Sequence, residues 1–440
     1  MTSLLRQFDQ RSLAEIGCEL HEFATELYPI CRSITGDGIR RTLGIIGAKI
    51  QLQMSEVPSG TEVFDWTVPK EWNVRDAYIK DTAGRRVVDF RQSNLHVLNY
   101  SKPVHAKLSL SELKRHLFTL PEHPDWIPYR TSYYKLAWGF CLTHKQMLTL
   151  SEGEYEVCID TTLENGSLTY GECCLPGRSS EEVVISCHAC HPSLANDNLS
   201  GLAVASALAQ LLSGKDLRYS YRFLFIPGTI GAITWLARNR ENVSRIRHGL
   251  VLTCVGDAGG FHYKKSRRGN AEIDQAMAYA LQHCGETSEI LEFTPYGYDE
   301  RQYCSPGFNL PVGCLMRSVW GTFPEYHTSA DNLDFIHPDQ LARSLRLCVS
   351  LVDVLENNRH YLSQNPFCEP QLGKRNLYSS TGGKSIDEEI NARLWTLNFS
   401  DGKHSLLDIA ERSGLPFASI CDAARLLSEG GLLVETSGEV

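Results

Sequence analysis

At 440 residues the chain is longer than one hydrophobic core usually organises, so one large domain with smaller companions is expected. Its 42% hydrophobic and 22% charged residues are those of an ordinary globular protein, and a net charge of −9 disfavours a phosphate-binding surface and hence nucleic acid. The N-terminal residues lack the apolar core of a signal peptide, and no later stretch has the roughly 18 uninterrupted apolar residues that a bilayer requires, so a cytoplasmic location and no membrane contact are expected.

The residues near 12–30 and 38–55 read as helices, the second with Leu43, Ile46 and Ile50 on one face. Between them lies the polar turn CRSITGDG. From about Phe64 to Leu120 come short β-prone runs, WTVP, DAYIK, RRVVDF and HVLNY, punctuated by Gly, Pro and Asn. They are followed by the aromatic stretch Trp126 to Phe140. Two readings fit it: a wall of a substrate pocket, with Tyr133 in the wall and Arg130 suited to an anionic group, or a hinge and core contact between domains.

From about 154 the pattern alternates: EYEVCID, EEVVISCHA, the apolar helix GLAVASALAQLL, YRFLFIP, the helix GAITWLARN, then HGLVLTCVGDA. Strands alternating with helices predict an α/β sheet whose functional residues stand at the carboxyl ends of the strands. Another helix is expected over 339–360, then a linker rich in Gly, Pro and Ser. The final segment reads as helix, helix, turn, helix and a short strand, a winged-helix pattern. Its third helix offers Arg425 as its only full positive charge, against Asp422 and Glu429. A contact with a protein partner, or homo-oligomer formation, suits it better than DNA.

The 15 cysteines are scattered, and reduced thiols are expected. The cluster Cys187-His188-Ala189-Cys190-His191 has the composition of a zinc knuckle but lacks a CxxC partner. A better arrangement is His188 at a strand end with Asp197 nine residues later, before a helix: imidazole and carboxylate are the donors zinc prefers. Taken singly, His188 reads equally as a packed strand-end histidine and Asp197 as a helix cap. Asp257, ending the strand HGLVLTCVGD, and His327, in the loop YHTSADN, complete a four-residue candidate metal set.

The strings CHACHPSLANDNLSG, VGDAG and EYHTSADN resemble the zinc aminopeptidase and carboxypeptidase superfamily. More closely, CRSITG, WTVPKEWNV, IPYRTSYY, WGFC and DERQYCSPG resemble the aminopeptidase-like proteins of polysaccharide and natural-product biosynthesis clusters. This resemblance implies a three-layer α/β/α exopeptidase-like domain over 1–60 and 150–362, an inserted β domain over 61–149, a linker over 363–385 and a winged helix over 386–440. It also implies one or two zinc ions, with Asp197 bridging a pair, His188 and Asp257 on one ion and His327 on the other. Where the family presents a Glu base followed by a carboxylate ligand, this chain has Gly228 and Thr229, neither of which can replace a carboxylate.

A substitute base is therefore sought elsewhere, in Glu300 of GYDERQYCSPGF or in Glu325. Asp299 and Arg301 either pair on that loop or contact substrate, Arg301 as a clamp for a carboxylate. The expected activity is hydrolysis of an amide or aminoacyl bond in a small-molecule or peptide-like biosynthetic substrate. The alternatives are acyl transfer or cyclisation on the same scaffold, or a catalytically lapsed binding protein.

Overall fold

The computed structural model describes residues 4–377 and 387–436. They form two compact units, the larger made of Arg6–Gln275 with Cys284–Cys348 and the smaller of the remaining described residues.

The larger unit is built on an eight-stranded mixed sheet. Its strands in chain order are β1 (Gln53–Pro58), β2 (Ser167–Leu175), β3 (Glu182–His188), β4 (Ser220–Ile226), β5 (Ile246–Leu252), β6 (Phe261–Lys264), β7 (Ser288–Leu291) and β8 (Val312–Met316). They lie side by side in the order β1-β2-β4-β3-β5-β8-β6-β7. The inner four, β4, β3, β5 and β8, are mutually parallel. Every residue of β3 is buried, as expected for a strand covered on both faces, and its Val183, Val184 and Ile185 suit that position. Four parallel strands open their carboxyl ends toward one edge, where the loops after His188, Ile226, Leu252 and Met316 gather.

Helices flank the sheet. Leu13–Leu27 starts at Ser12, whose hydroxyl accepts the Glu15 N–H, and buries Ile16, Leu20, Phe23 and Leu27. The apolar helix Gly201–Leu212 follows β3 and is buried along most of its length. The three-layer reading of the sequence thus describes this unit.

The insertion leaves the large sheet after β1 and returns at β2, and since Pro58 pairs with Ser167 its two ends are neighbours in register. Within it lies an antiparallel four-stranded sheet ordered Arg86–Asp89, Glu71–Lys80, Glu154–Glu164, Val104–Ser109. EYEVCID, taken from sequence as the first strand of the α/β pattern, pairs here with Glu71–Lys80 and Val104–Ser109 instead. The physical reason is its alternation: Tyr155, Val157, Ile159 and Thr161 are buried and their neighbours are not, the signature of a strand with one solvated face.

The smaller unit contains the winged helix. Helices Glu388–Phe399, Leu406–Ser413 and Phe417–Glu429 accompany a three-stranded sheet of Asp401–Ser405, His360–Ser363 and Leu433–Thr436. Ser405 and Asp408 form a reciprocal cap at the second helix, and Gly414 ends it at φ +68°. His360–Ser363, which the expected boundaries place in the α/β domain and the linker, pairs with both other strands of this sheet. The expected linker falls partly outside the described residues, at 378–385. Arg425 is paired with Glu429 at 3.2 Å and Asp422 at 3.7 Å, so the lone cation of the third helix is engaged within that helix.

Among the described residues no helix is long and apolar enough to cross a membrane. The 15 cysteines are free thiols.

Candidate metal centre

The loop after β3 and the turn before helix Gly201–Leu212 bring His188 and Asp197 into contact. Nε2 of His188 lies 2.6 Å from Oδ1 of Asp197. On the other carboxylate oxygen stands His327, with Nε2 3.0 Å from Oδ2. A third imidazole, His191, has Nε2 3.9 Å from the same Oδ2. Donor atoms of His188, His191 and Asp197 all lie within 4.8 Å of one another, and this is the one such group of three or more His, Cys, Asp or Glu among the described residues.

Burial opposes the charge on Asp197, yet the adjoining His191 and His188, with hydrogen bonds from His188 and His327, outweigh it and hold the carboxyl well below its usual range. Burial pushes His191 the other way, well below the ordinary histidine value, and so favours the neutral imidazole. Imidazoles around a buried carboxylate are the donor set that zinc takes.

Asp197 is held by its own surroundings. Asp331 accepts the backbone N–H groups of Asn196 at 2.5 Å and Asp197 at 3.0 Å. Burial raises the Asp331 carboxyl to about 8, with the Asn196 and Asp197 donors opposing and the Asp197 charge adding to the rise. Asn198 donates to the Leu252 carbonyl at 2.9 Å, tying the turn to the end of β5. His191 is fixed through its carbonyl, which accepts from Nε of the buried Arg32 at 2.8 Å. His327 sits at φ +56°, a left-handed conformation that costs on the order of 1–3 kcal/mol for a residue other than glycine. Its carbonyl accepts the Tyr129 N–H at 2.7 Å, which helps to hold it there.

The aromatic stretch reaches this centre. The Tyr129 ring is 5.1 Å from both His191 and His327, and its hydroxyl is 3.1 Å from that of Tyr133. Arg130 points elsewhere: its side chain is exposed, with the guanidinium 5.3 Å from the Phe118 ring.

Asp257 is not in the donor group. Its Oδ1 accepts from the Ser318 hydroxyl at 2.6 Å and Gly259 N–H at 2.7 Å, and its Oδ2 from Asn196 Nδ2 at 2.7 Å and Ser318 N–H at 3.3 Å. Four donors occupy the carboxylate that the sequence offers as a ligand, and through Asn196 it braces the Asp197 turn.

Glu300 is likewise committed. It is fully buried, 2.9 Å from Nζ of buried Lys264, and accepts the Tyr298 N–H. A carboxylate bound this way is unavailable as the base considered from sequence. Asp299 is buried with both oxygens unpartnered, and burial followed by the Glu300 charge pushes its carboxyl well above the usual range. No ion pair joins it to Arg301, whose Nε is buried and also unpartnered. Glu325 is half-buried, outside the donor group, and only its backbone is engaged, by Thr328.

Sequence reasoning missed Tyr298. A Cβ built on Gly228 would stand 2.3 Å from Cε1 and 2.4 Å from the hydroxyl of Tyr298. The same ring lies 4.0 Å from the His188 ring, and its hydroxyl 3.7 Å from Cys190 Sγ. Gly228 is the gap into which this phenol fits.

Residues 21–358 match the family described as "Domain of unknown function (DUF4910)", and residues 359–435 match a winged helix-turn-helix family. The chain belongs to the DUF4910 family. A Clostridium acetobutylicum protein described as a polysaccharide biosynthesis protein with an aminopeptidase-like domain is 52% identical over 96% of this chain and 97% of its own length. The crystal structure of a protein from the same organism, described as a peptidase, matches with TM-score 0.93 at 50% identity, covering 98% of this chain and all of the other. The zinc aminopeptidase BSAP of Bacillus subtilis shares the fold, with TM-score 0.56 at 13% identity over 78% of this chain and 95% of its own. The aminopeptidase-like architecture, with its large α/β sheet, inserted β sheet and C-terminal winged helix, is that of this family.

Proposed function

We propose that this DUF4910 protein is a zinc-dependent, aminopeptidase-like hydrolase acting on an amide or aminoacyl bond of a small biosynthetic intermediate. The observation that carries the reading is the convergence of His188, His191 and His327 on the two oxygens of one buried carboxylate, Asp197. Burying that many polar groups without a ligand to share is costly, and their types and spacing fit zinc. When bound, the metal supplies Lewis-acid polarisation of a carbonyl.

The remaining work falls to the chain. Asp331, Asn196 and Asp257 fix the turn that aims Asp197, and Arg32 fixes His191. Tyr129 and Tyr133 form the wall beside His191 and His327, where a substrate is oriented. His327, with its side chain about a third exposed, marks the open side of the centre. Glu325, two residues away, is the carboxylate we assign to proton transfer, since Glu300 is spent on Lys264. Arg301, with its buried and unpartnered Nε, is the cation we assign to an anionic substrate group. The name of the Clostridium relative supports a biosynthetic setting. We place the protein in the cytoplasm, with the winged helix contacting a protein partner or a second copy.

A second reading, acyl transfer to an amine or a binding role without turnover, is favoured by Tyr298 standing where a side chain at 228 would begin. One experiment separates them. Zinc-loaded protein is incubated with aminoacyl and N-acyl amides of small amines and amino sugars, with and without a free amine, using His188→Ala as the blank. Release in water supports the hydrolase; product only with the amine supports transfer; binding without product in either case sinks both enzymatic readings.

A further inference from the structure

His188, His191 and Asp197 offer three donor atoms within 4.8 Å of one another, enough to hold a single zinc with a fourth position left for His327 or an exchangeable ligand. A second ion sharing Asp197 would need its own ligands, and three positions from which the sequence or the fold would supply them are closed. Asp257 is saturated by four donors. Glu300 is held by Lys264. The strand end at Gly228 carries no side chain, and the space such a side chain would enter holds the Tyr298 ring, against His188. Glycine and tyrosine here are complementary: any Cβ at 228 would drive the ring away, and the ring bars any longer side chain from the His188 flank.

We propose that Tyr298, admitted by Gly228, limits this centre to one metal ion by filling the flank of His188 from which ligands for a second would come. The inference rests on the metal-centre reading above and specifies it. It makes Tyr298 a specificity-determining residue, leaving the side marked by His191, His327 and Tyr129 as the approach for substrate.

The test is metal stoichiometry, read by elemental mass spectrometry on full-length protein equilibrated with excess zinc and freed of unbound metal, with folding checked by circular dichroism. Wild type and Tyr298→Phe, which keeps the ring, are expected to hold one zinc per chain. The double variant Gly228→Glu/Tyr298→Ala, which trades the ring for a carboxylate in the same space, is expected to hold two. Two zinc ions in wild type overturn the inference while leaving a metal enzyme intact; no zinc in wild type overturns the metal-centre reading itself. A folded double variant that stays at one ion also overturns the inference. Should that variant not fold, Gly228→Asp/Tyr298→Ala, which carries a shorter carboxylate into the same space, is counted in its place, with two ions expected and one overturning the inference.

Discussion

Asp331→Asn probes how Asp197 is aimed. The wild-type carboxyl group accepts two buried backbone N–H groups, Asn196 on one oxygen and Asp197 on the other. The amide keeps one acceptor and turns an NH2 toward the second donor, so one buried N–H loses its partner, at a cost of about 1–3 kcal/mol. With an unfolding entropy of roughly 2.1 cal/mol/K per residue, a unit of about 335 residues shifts by roughly 1.4 °C per kcal/mol, so a central value near 2 kcal/mol lowers Tm by roughly 3 °C. Because the displaced backbone is that of Asp197 itself, zinc affinity should fall as well, by about 10–100-fold, the usual cost of losing an outer partner of a metal ligand. Calorimetry on metal-free protein gives the first number and competition with a chromophoric chelator the second. Asp334→Asn, three residues on and exposed, serves as control and should change stability by no more than about 0.5 kcal/mol. If Asp331→Asn destabilises the protein yet leaves zinc affinity at the wild-type value, the carboxylate holds the fold alone and the positioning argument fails.

Glu300→Gln should destabilise the larger unit by roughly 3–5 kcal/mol, since it strands the buried Lys264 ammonium; near-normal thermal stability with lost activity would instead restore Glu300 as a catalytic base. Gly17→Ala places a Cβ 2.3 Å from the Pro338 carbonyl oxygen and should cost roughly 1–3 kcal/mol by overpacking, measured by urea unfolding. Asp76, held by the Arg86 fork, has its carboxyl below the ordinary value near 3.8. A depressed acid stabilises fully above its unfolded pKa and loses that contribution as pH falls through its folded one, so the Tm gap between wild type and Asp76→Asn should be widest near pH 6 and shrink as pH falls below the ordinary value near 3.8.

Much of the centre is legible in the sequence because His188 and Asp197 are tied to a strand end and a helix start, where the α/β pattern puts functional groups. His327 is legible from its loop. His191 is not: it follows His188 by three residues in an irregular loop, and no periodicity aims an imidazole there. Asp257 illustrates the opposite difficulty. A carboxylate at a strand end looks like a ligand, and only the placement of Ser318, 61 residues on, shows its oxygens to be taken. Tyr298 could be found only by asking what fills the space beside Gly228, which needs coordinates. In the fold, the alternation in EYEVCID was a usable signal for the inserted sheet. The strand Asp401–Ser405, by contrast, is a polar DGKHS with no strand pattern, and pairing with His360–Ser363 alone makes it one.

We take His188, His191, Asp197 and His327 to form the metal centre of this protein. Crystals grown from zinc-loaded protein and measured at the zinc absorption edge test it most directly. One anomalous peak among the imidazoles and Asp197 is the expected result. A peak on Asp257, or none near Asp197, would contradict it.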